Sequence, residues 1–263
     1  MELINVNQSQ CIKCGICSKV CPSNVLSIDE TGPKVINENN CVASCPQGAL
    51  DNIKTPISNQ AAIENFPIPD PKTAEYFLRS RRSTRCYKSN PVPKDKLLEL
   101  VNIAHYASTA SNIQGISYVI VENRTILEKA TEIIYEWMEQ QLENPSHWSF
   151  ARHVQTHKET GADTILRNAP HLILATAPKG FKNGRENTIS ALSYLELYAS
   201  AIGLGSCWAG LFEMCAFSNY LPLLQLFNIS NDKVITGAVM VGYPKYKYKK
   251  LVDRNPLDVL FIN

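Results

Sequence analysis

The sequence predicts an α+β protein, a central sheet flanked by helices with a small cysteine-rich domain in front of it. Three observations carry this. Six of the nine cysteines fall within the first 45 residues. A proline-containing stretch without periodicity, 55–72, then interrupts the chain. From 73 to 263, segments of helical spacing alternate with short apolar runs of strand length.

The N-terminal domain, 1–54, is read from its thiols. QCIKCGICSKVCPS, residues 10–23, sets Cys11, Cys14, Cys17 and Cys21 in the spacing C-x₂-C-x₂-C-x₃-C-P. Thiolates two residues apart on a tight loop converge on a compact cluster, and Gly15 lets the backbone pass close to the sulfurs. A zinc site would pair C-x₂-C with a distant second pair, so the spacing argues for iron and sulfur. NCVASCPQGAL, residues 40–50, keeps only Cys41, Cys45 and Pro46; it is six residues shorter than the first motif between its outer cysteines and lacks the middle ones. Cys86, Cys207 and Cys215 sit among apolar neighbours and are expected to be small buried hydrophobes.

The second domain is justified element by element. PVPKDKLLELVNIAHYAS has Pro93 at a helix start and Leu97, Leu100, Val101, Ala104 and Ala107 on one face. ISYVIVE, 116–122, is β-branched and aromatic, hence a strand. Residues 124–142 return to helical spacing through Ile126, Ala130, Ile133, Ile134 and Trp137. HLILATAP, 171–178, and VITGAVMVGYP, 234–244, are the continuous apolar runs of strands covered on both faces. ENTISALSYLELYASAIG carries Ile189, Leu192, Leu195, Ala199 and Ile202, with Gly203 suited to its C-terminal cap. PLDVLFIN, 256–263, is apolar enough to be a docked strand.

Composition excludes several classes. Hydrophobic residues at 44 % and charged ones at 19 % describe a globular chain rather than a disordered one. A net charge of +2 gives no electrostatic case for nucleic acid or an anionic membrane. MELINVNQSQ lacks the basic and apolar regions of a signal peptide, and no run is long enough to span a bilayer, so a cytoplasmic place is expected.

Three separated stretches bear on chemistry. RRSTRCY, 81–87, groups Arg81, Arg82 and Arg85 around Ser83, either a solvated turn or an anion site, since guanidinium forks pair bidentately with phosphate. ASTASNIQG, 107–115, presents the amides of Asn112 and Gln114, which both donate and accept. GLGSCWAGLF, 203–212, is rich in small residues that allow close approach of a flat ring, with Trp208 alongside. It is not a dinucleotide fingerprint, because the third glycine would fall at Trp208.

Together these stretches resemble known families. Residues 5–50 resemble the bacterial two-cluster ferredoxins, including Cys45, Pro46, Gly48, Ala49 and Leu50. That resemblance implies one [4Fe–4S] cluster on Cys11, Cys14, Cys17 and Cys45, because in that family the fourth thiolate comes from the other half. Cys21 remains the alternative fourth ligand. Cys21 and Cys41 are otherwise a disulfide or two free thiols. Arg81–Arg85, Ala107–Gly115 and Gly203–Trp208, with VGYPKYKYKKLVDRNP at 241–256, resemble the nitroreductase family of FMN flavoproteins, specifically members with an N-terminal ferredoxin module. The resemblance implies FMN held by Arg81, Arg82, Ser83, Arg85, Asn112, Gln114, Trp208, Ala209, Gly210 and Arg254, with Lys250 sharing the phosphate. It also implies a homodimer with FMN at the subunit interface. Gly115-Ile116 departs from the family's Pro-Trp and suggests a looser floor beside the ring.

Two other candidates weigh less. His153 and His157 have a zinc-compatible i, i+4 spacing, but HVQTH lacks the glutamate of H-E-x-x-H and reads as a solvated helix face. Tyr246, Lys247, Tyr248, Lys249 and Lys250 interleave aromatic and basic residues, too few for a nucleic-acid platform.

The expected activity is FMN-dependent reduction of a small electron-poor molecule (a nitroaromatic, quinone or activated alkene). Electrons would enter through the cluster from a ferredoxin or similar low-potential donor. No side chain is assigned as a catalytic acid. The alternatives are an electron-transfer or flavin-handling module serving a partner protein, and a reductive dehalogenase-like member of the same superfamily. Residues 136–168 are expected to wall the flavin.

Overall fold

The computed structural model describes residues 4–21, 25–30, 32–35, 43–63 and 66–262. The chain divides into two compact units, Met1–Ile68 and Pro69–Asn263.

The first unit runs β1 (Ile4–Val6), α1 (Ile16–Lys19), β2 (Leu26–Asp29), β3 (Gly32–Val35) and β4 (Leu50–Asn52). β1 pairs antiparallel with β4, and β2 with β3. Ile4, Cys17, Val25, Leu26 and Leu50 form its core. So small a core buries too little apolar surface for a stable unit without a metal or cross-link. Cys41, and with it the Cys21–Cys41 pair, lies outside the described residues.

The second unit runs α2 (Pro71–Ser80), α3 (Lys94–His105), β5 (Ser117–Val121), α4 (Arg124–Glu139), α5 (Phe150–Thr160), β6 (His171–Pro178), α6 (Gly184–Ala201), β7 (Gly205–Trp208), α7 (Gly210–Phe217), α8 (Leu221–Leu226) and β8 (Lys233–Gly242). Its sheet has the order β5-β6-β8-β7, with every neighbouring pair antiparallel. β6 and β8 are central. Leu172 and Leu174 pack with Ile134, Phe150 and Phe212 on one face. Ile173 and Ala175 pack with Leu100 and Leu195 on the other. Both faces are dry, which is why HLILATAP has no polar alternation. The register of β6 on β8 slips after Ala175, which pairs with Gly237, while Thr176 pairs with Ile235; Thr236 is the bulged residue between them.

Several expectations need correction. Cys207 and Cys215 are buried, but Cys86 is exposed. It sits on an extended segment where Tyr87, the next residue, turns its hydroxyl inward and Cys86 faces out. Ile189 is 45 % exposed and leaves the buried face of α6 to Ala191, Leu192, Leu195 and Ala199. Residues 256–262 form no strand, and Leu257, Leu260, Phe261 and Ile262 are exposed. Gly203 does follow α6 in the left-handed region, at φ 77°. Among the described residues no helix is long and apolar enough to cross a membrane.

Candidate functional site

In the first unit, Cys11, Cys14, Cys17 and Cys45 line one cavity, floored by Ile28, Pro33 and Leu50. Positive φ at Lys13 (55°) and Gly15 (74°) coils the backbone between the first three thiols. The Lys13 N–H donates to Cys11 Sγ at 3.4 Å and the Ala49 N–H to Cys45 Sγ at 3.3 Å, donors suited to thiolate sulfur. Burial pushes the Cys17 thiol up, backbone N–H groups oppose it, and Cys45 and Cys14 add to the rise. Coordination by iron would hold such a thiol deprotonated. Cys21 packs against the Ile4–Leu50 core and is not among the residues lining the cavity. The donor chemistry, four thiols over an apolar floor, fits an iron–sulfur cluster.

In the second unit, the RRSTR segment lies along the start of β7. Ser83 bridges Ser206 in parallel, and the Thr84 N–H donates to the Ser206 carbonyl at 2.8 Å. Residues 86–88 then pair antiparallel with 243–245, through the Lys88 N–H to Tyr243 O at 2.8 Å and the Lys245 N–H to Cys86 O at 2.9 Å. Gly205 makes the approach possible, since a Cβ there would lie 2.7 Å from Thr84 Cβ. The three glycines of this stretch thus divide their work. Gly203 caps α6, Gly205 admits Thr84, and Gly210 faces open space, with nothing within 4 Å of a Cβ built on it. Gly203 is open too but is used by the α6 cap, which leaves Gly210 for the expected approach of a flat ring. Gly210 begins α7, whose first N–H groups lack helical partners.

Beneath this seam lies Glu196 of α6. Its carboxylate is 3.6 Å from Arg81 Nη1 and accepts from Ser206 Oγ at 3.1 Å. Burial raises its pKa, with Arg81 and Ser206 pulling the other way. Arg85 is exposed, yet its charge reaches Cys207, whose thiol burial pushes up and Arg85 lowers.

The C-terminal segment runs over the same place. Arg82 sits 4.6 Å above the Tyr248 ring, Tyr248 Oη donates to Ser83 O at 3.5 Å, and Arg79 Nη2 donates to Val252 O at 3.3 Å. Lys250 and Arg254 lie on this segment with exposed side chains.

The amide loop is strained. Ser111, Asn112 and Gln114 all have positive φ (52°, 53° and 56°), costly for residues with a Cβ and a feature of ligand-holding loops. Gln114 Nε2 donates to Asn112 Oδ1 at 3.3 Å. Among the described residues no hydrogen bond ties this loop to RRSTR. Its support is α6, where buried Asn187 accepts the Ala110 N–H at 3.0 Å and leaves its own Nδ2 without a partner. Gly115 has a local reason, because a Cβ there would lie 2.9 Å from Phe181 Cε1. An aromatic ring fills the place that a side chain at 115 would take.

The structure therefore brings together Arg81, Arg82, Ser83 and the segment carrying Lys250 and Arg254 beside the strand that ends in Trp208, and it holds Asn112 and Gln114 on a separate loop. Glu196, Asn187 and Tyr248 were missed as site residues. An acid within SYLELY has the periodicity of any helix position, and only its burial beside Arg81 sets it apart. The histidines are not a solvated face. His157 stacks on Tyr135 at 3.9 Å and lies 3.3 Å from Glu132, and His153 meets Thr164 Oγ1 at 2.9 Å. Within 136–168, Phe150 and Val154 are core residues, whereas Trp148 is exposed. Among the described residues no three His, Cys, Asp or Glu groups converge as a single metal ion requires.

Comparisons with known proteins follow the same division. The nitroreductase family profile matches residues 78–243, more than half of the chain. A 4Fe-4S binding domain matches residues 4–27, which include Cys11, Cys14, Cys17 and Cys21 but end before Cys45. An iodotyrosine deiodinase of Thermotoga neapolitana is 26 % identical over 184 residues, 66 % of this chain and 91 % of that protein. An FMN-bound nitroreductase of Bacteroides fragilis superposes with a TM-score of 0.58 at 18 % identity, over 71 % of this chain and 98 % of that one. An oxidised iodotyrosine deiodinase bound to FMN and 3-iodo-L-tyrosine superposes with a TM-score of 0.56 at 22 % identity, over 72 % and 98 %.

Proposed function

The chain belongs to the nitroreductase family, and from that premise we propose an FMN-dependent oxidoreductase fed by its own iron–sulfur module. Its substrate is a small electron-poor molecule (a nitroaromatic, a quinone or an activated alkene). The single electrons come from reduced ferredoxin or a donor of similar potential. The observation that carries this reading is the Ser83–Ser206 seam, which joins RRSTR to the GSCW strand under the C-terminal segment, on a chain that also holds a four-thiol cavity.

Each group of residues has a task in this reading. Arg81, Arg82, Arg85 and Ser83 bind the phosphate end, with Lys250 and Arg254 closing over it, because planar guanidinium donors match phosphate oxygens. Asn112 and Gln114 orient the pyrimidine edge, since a carboxamide meets both donors and acceptors there. Trp208, Ala209 and Gly210 offer a close, open backbone to the ring. Bound FMN supplies conversion between one-electron and hydride chemistry. Cys11, Cys14, Cys17 and Cys45 hold one [4Fe–4S] cluster, in a ferredoxin-like module over 1–54 joined by the 55–72 linker to the flavin domain, 73–263.

The protein works as a homodimer in the cytoplasm, the exposed apolar tail from Leu257 to Ile262 docking on the second copy. Residues 136–168 wall the substrate side. A second reading, reductive dehalogenation, is favoured by the likeness to the Thermotoga deiodinase.

A Cys14→Ala variant tests the circuit. It should keep its yellow FMN spectrum and its reduction by dithionite but lose reduction by ferredoxin. Ferredoxin reduction at the parent's rate would make the cluster structural only. Anaerobic turnover of nitroaromatics, quinones, enones and iodophenols then selects the substrate class, and turnover of none would leave a module that passes electrons to a partner protein.

A further inference from the structure

The bulge at Thr236 and the end of β7 at Trp208, opposite Val239, leave backbone groups of β8 free of the sheet, and a half-buried ion pair takes them. Arg185 Nη1 donates to Thr236 O at 2.6 Å, and Glu213 Oε1 accepts the Ala238 N–H at 2.8 Å. The two side chains meet as a fork, Nη1 to Oε1 at 3.2 Å and Nη2 to Oε2 at 3.0 Å. Glu213 is 4 % exposed, and the Arg185 side chain 39 %. The guanidinium also lies between two aromatic rings, 5.2 Å from that of Trp208 and 5.0 Å from that of Phe217. Ala238 in turn accepts the Ala209 N–H at 2.9 Å. The pair thus touches Trp208 directly and Ala209 by way of Ala238, and it reaches the far end of α7 at Phe217.

Such a pair is weak evidence for stability, because desolvation of the buried Glu213 offsets much of the attraction and Arg185 stays partly in water. What it supplies is direction, with each donor and acceptor fixed in angle. We propose that Arg185 and Glu213 are a positioning pair that sets the Trp208–Gly210 turn, and with it the unpaired N–H groups at the start of α7. The consequence for the cofactor rests on reading that turn as the flavin contact.

Arg185→Lys keeps the charge but loses the fork and the flat face, and Glu213→Gln keeps the shape but loses the charge. In the full-length chain without FMN, both should speed hydrogen exchange over 205–212 several-fold. Both should also shift the emission of Trp208, isolated by subtracting Trp208→Phe. With FMN, affinity should fall about tenfold, the size of one lost charge-assisted hydrogen bond, and the visible circular dichroism of the flavin should change. Parent-like exchange and Trp208 emission in both variants would overturn the proposal, whatever their melting temperatures. Faster exchange with unchanged FMN affinity would overturn its cofactor half. If the parent itself binds no FMN, the flavin reading fails, and the exchange and emission results still decide whether the pair positions the turn.

Discussion

Arg81 and Glu196 face each other across 3.6 Å, a guanidinium from the RRSTR segment against a carboxylate whose side chain is 11 % exposed. Burial outweighs that partner and raises the Glu196 pKa. The folded state therefore holds the proton more tightly than the unfolded chain, where a glutamate titrates near about 4.3. The associated stability is present below that pH and is lost as pH rises through the folded value. Glu196→Gln should thus gain melting temperature relative to the parent as pH rises from about 4 towards neutrality. A gap that narrows over that range would show that Arg81, not burial, dominates.

Gly205→Ala should open the seam. The added methyl meets Thr84, whose backbone is pinned to Ser206. Overpacking of this kind costs about 1–3 kcal/mol. Chemical denaturation would measure the loss, and FMN retention should fall with it. A parent-like variant would mean that Thr84 rotates away freely.

Arg81→Ala removes a charge-assisted donor from the proposed phosphate site. Such a bond contributes about 1.5–3 kcal/mol, so titration of the apoprotein should show FMN binding weakened by roughly ten- to a hundredfold. Unchanged retention through dialysis would leave RRSTR as a structural segment only.

The thiol cavity makes a paired prediction. Cys45→Ala should abolish the cluster's visible absorption, and Cys21→Ala should preserve it, because Cys45 lines the cavity and Cys21 does not. Anaerobic protein should contain about four irons and four sulfides per chain, the content of one [4Fe–4S] cluster. About eight of each, or bleaching by Cys21→Ala alone, would sink this ligand set.

Much was legible before any tertiary structure. The cysteine spacing acts within a single loop, so it reads directly as chemistry. HLILATAP reads as a covered strand because both of its faces meet helices, and the α3 and α4 stripes show in the periodicity for the same local reason. What periodicity encodes is the face an element buries, not the element that comes to cover it. Tyr87 in and Cys86 out follow from pairing with 243–245, which lie at the other end of the chain. Gly205 reads in sequence as room for a ring, and the fold fills that room with Thr84. Glu196, Arg185 and Glu213 look like ordinary charged helix positions until Arg81, Trp208 and the Thr236 bulge close on them. The sequence by itself determined the buried faces of α3, α4, β6 and β8 and which motifs the chain carries, though not the strand expected at 256–263. Tertiary structure alone decided which of those motifs meet, because a charge or a glycine takes its role from what lies within a few ångströms of it, and distant segments supply that.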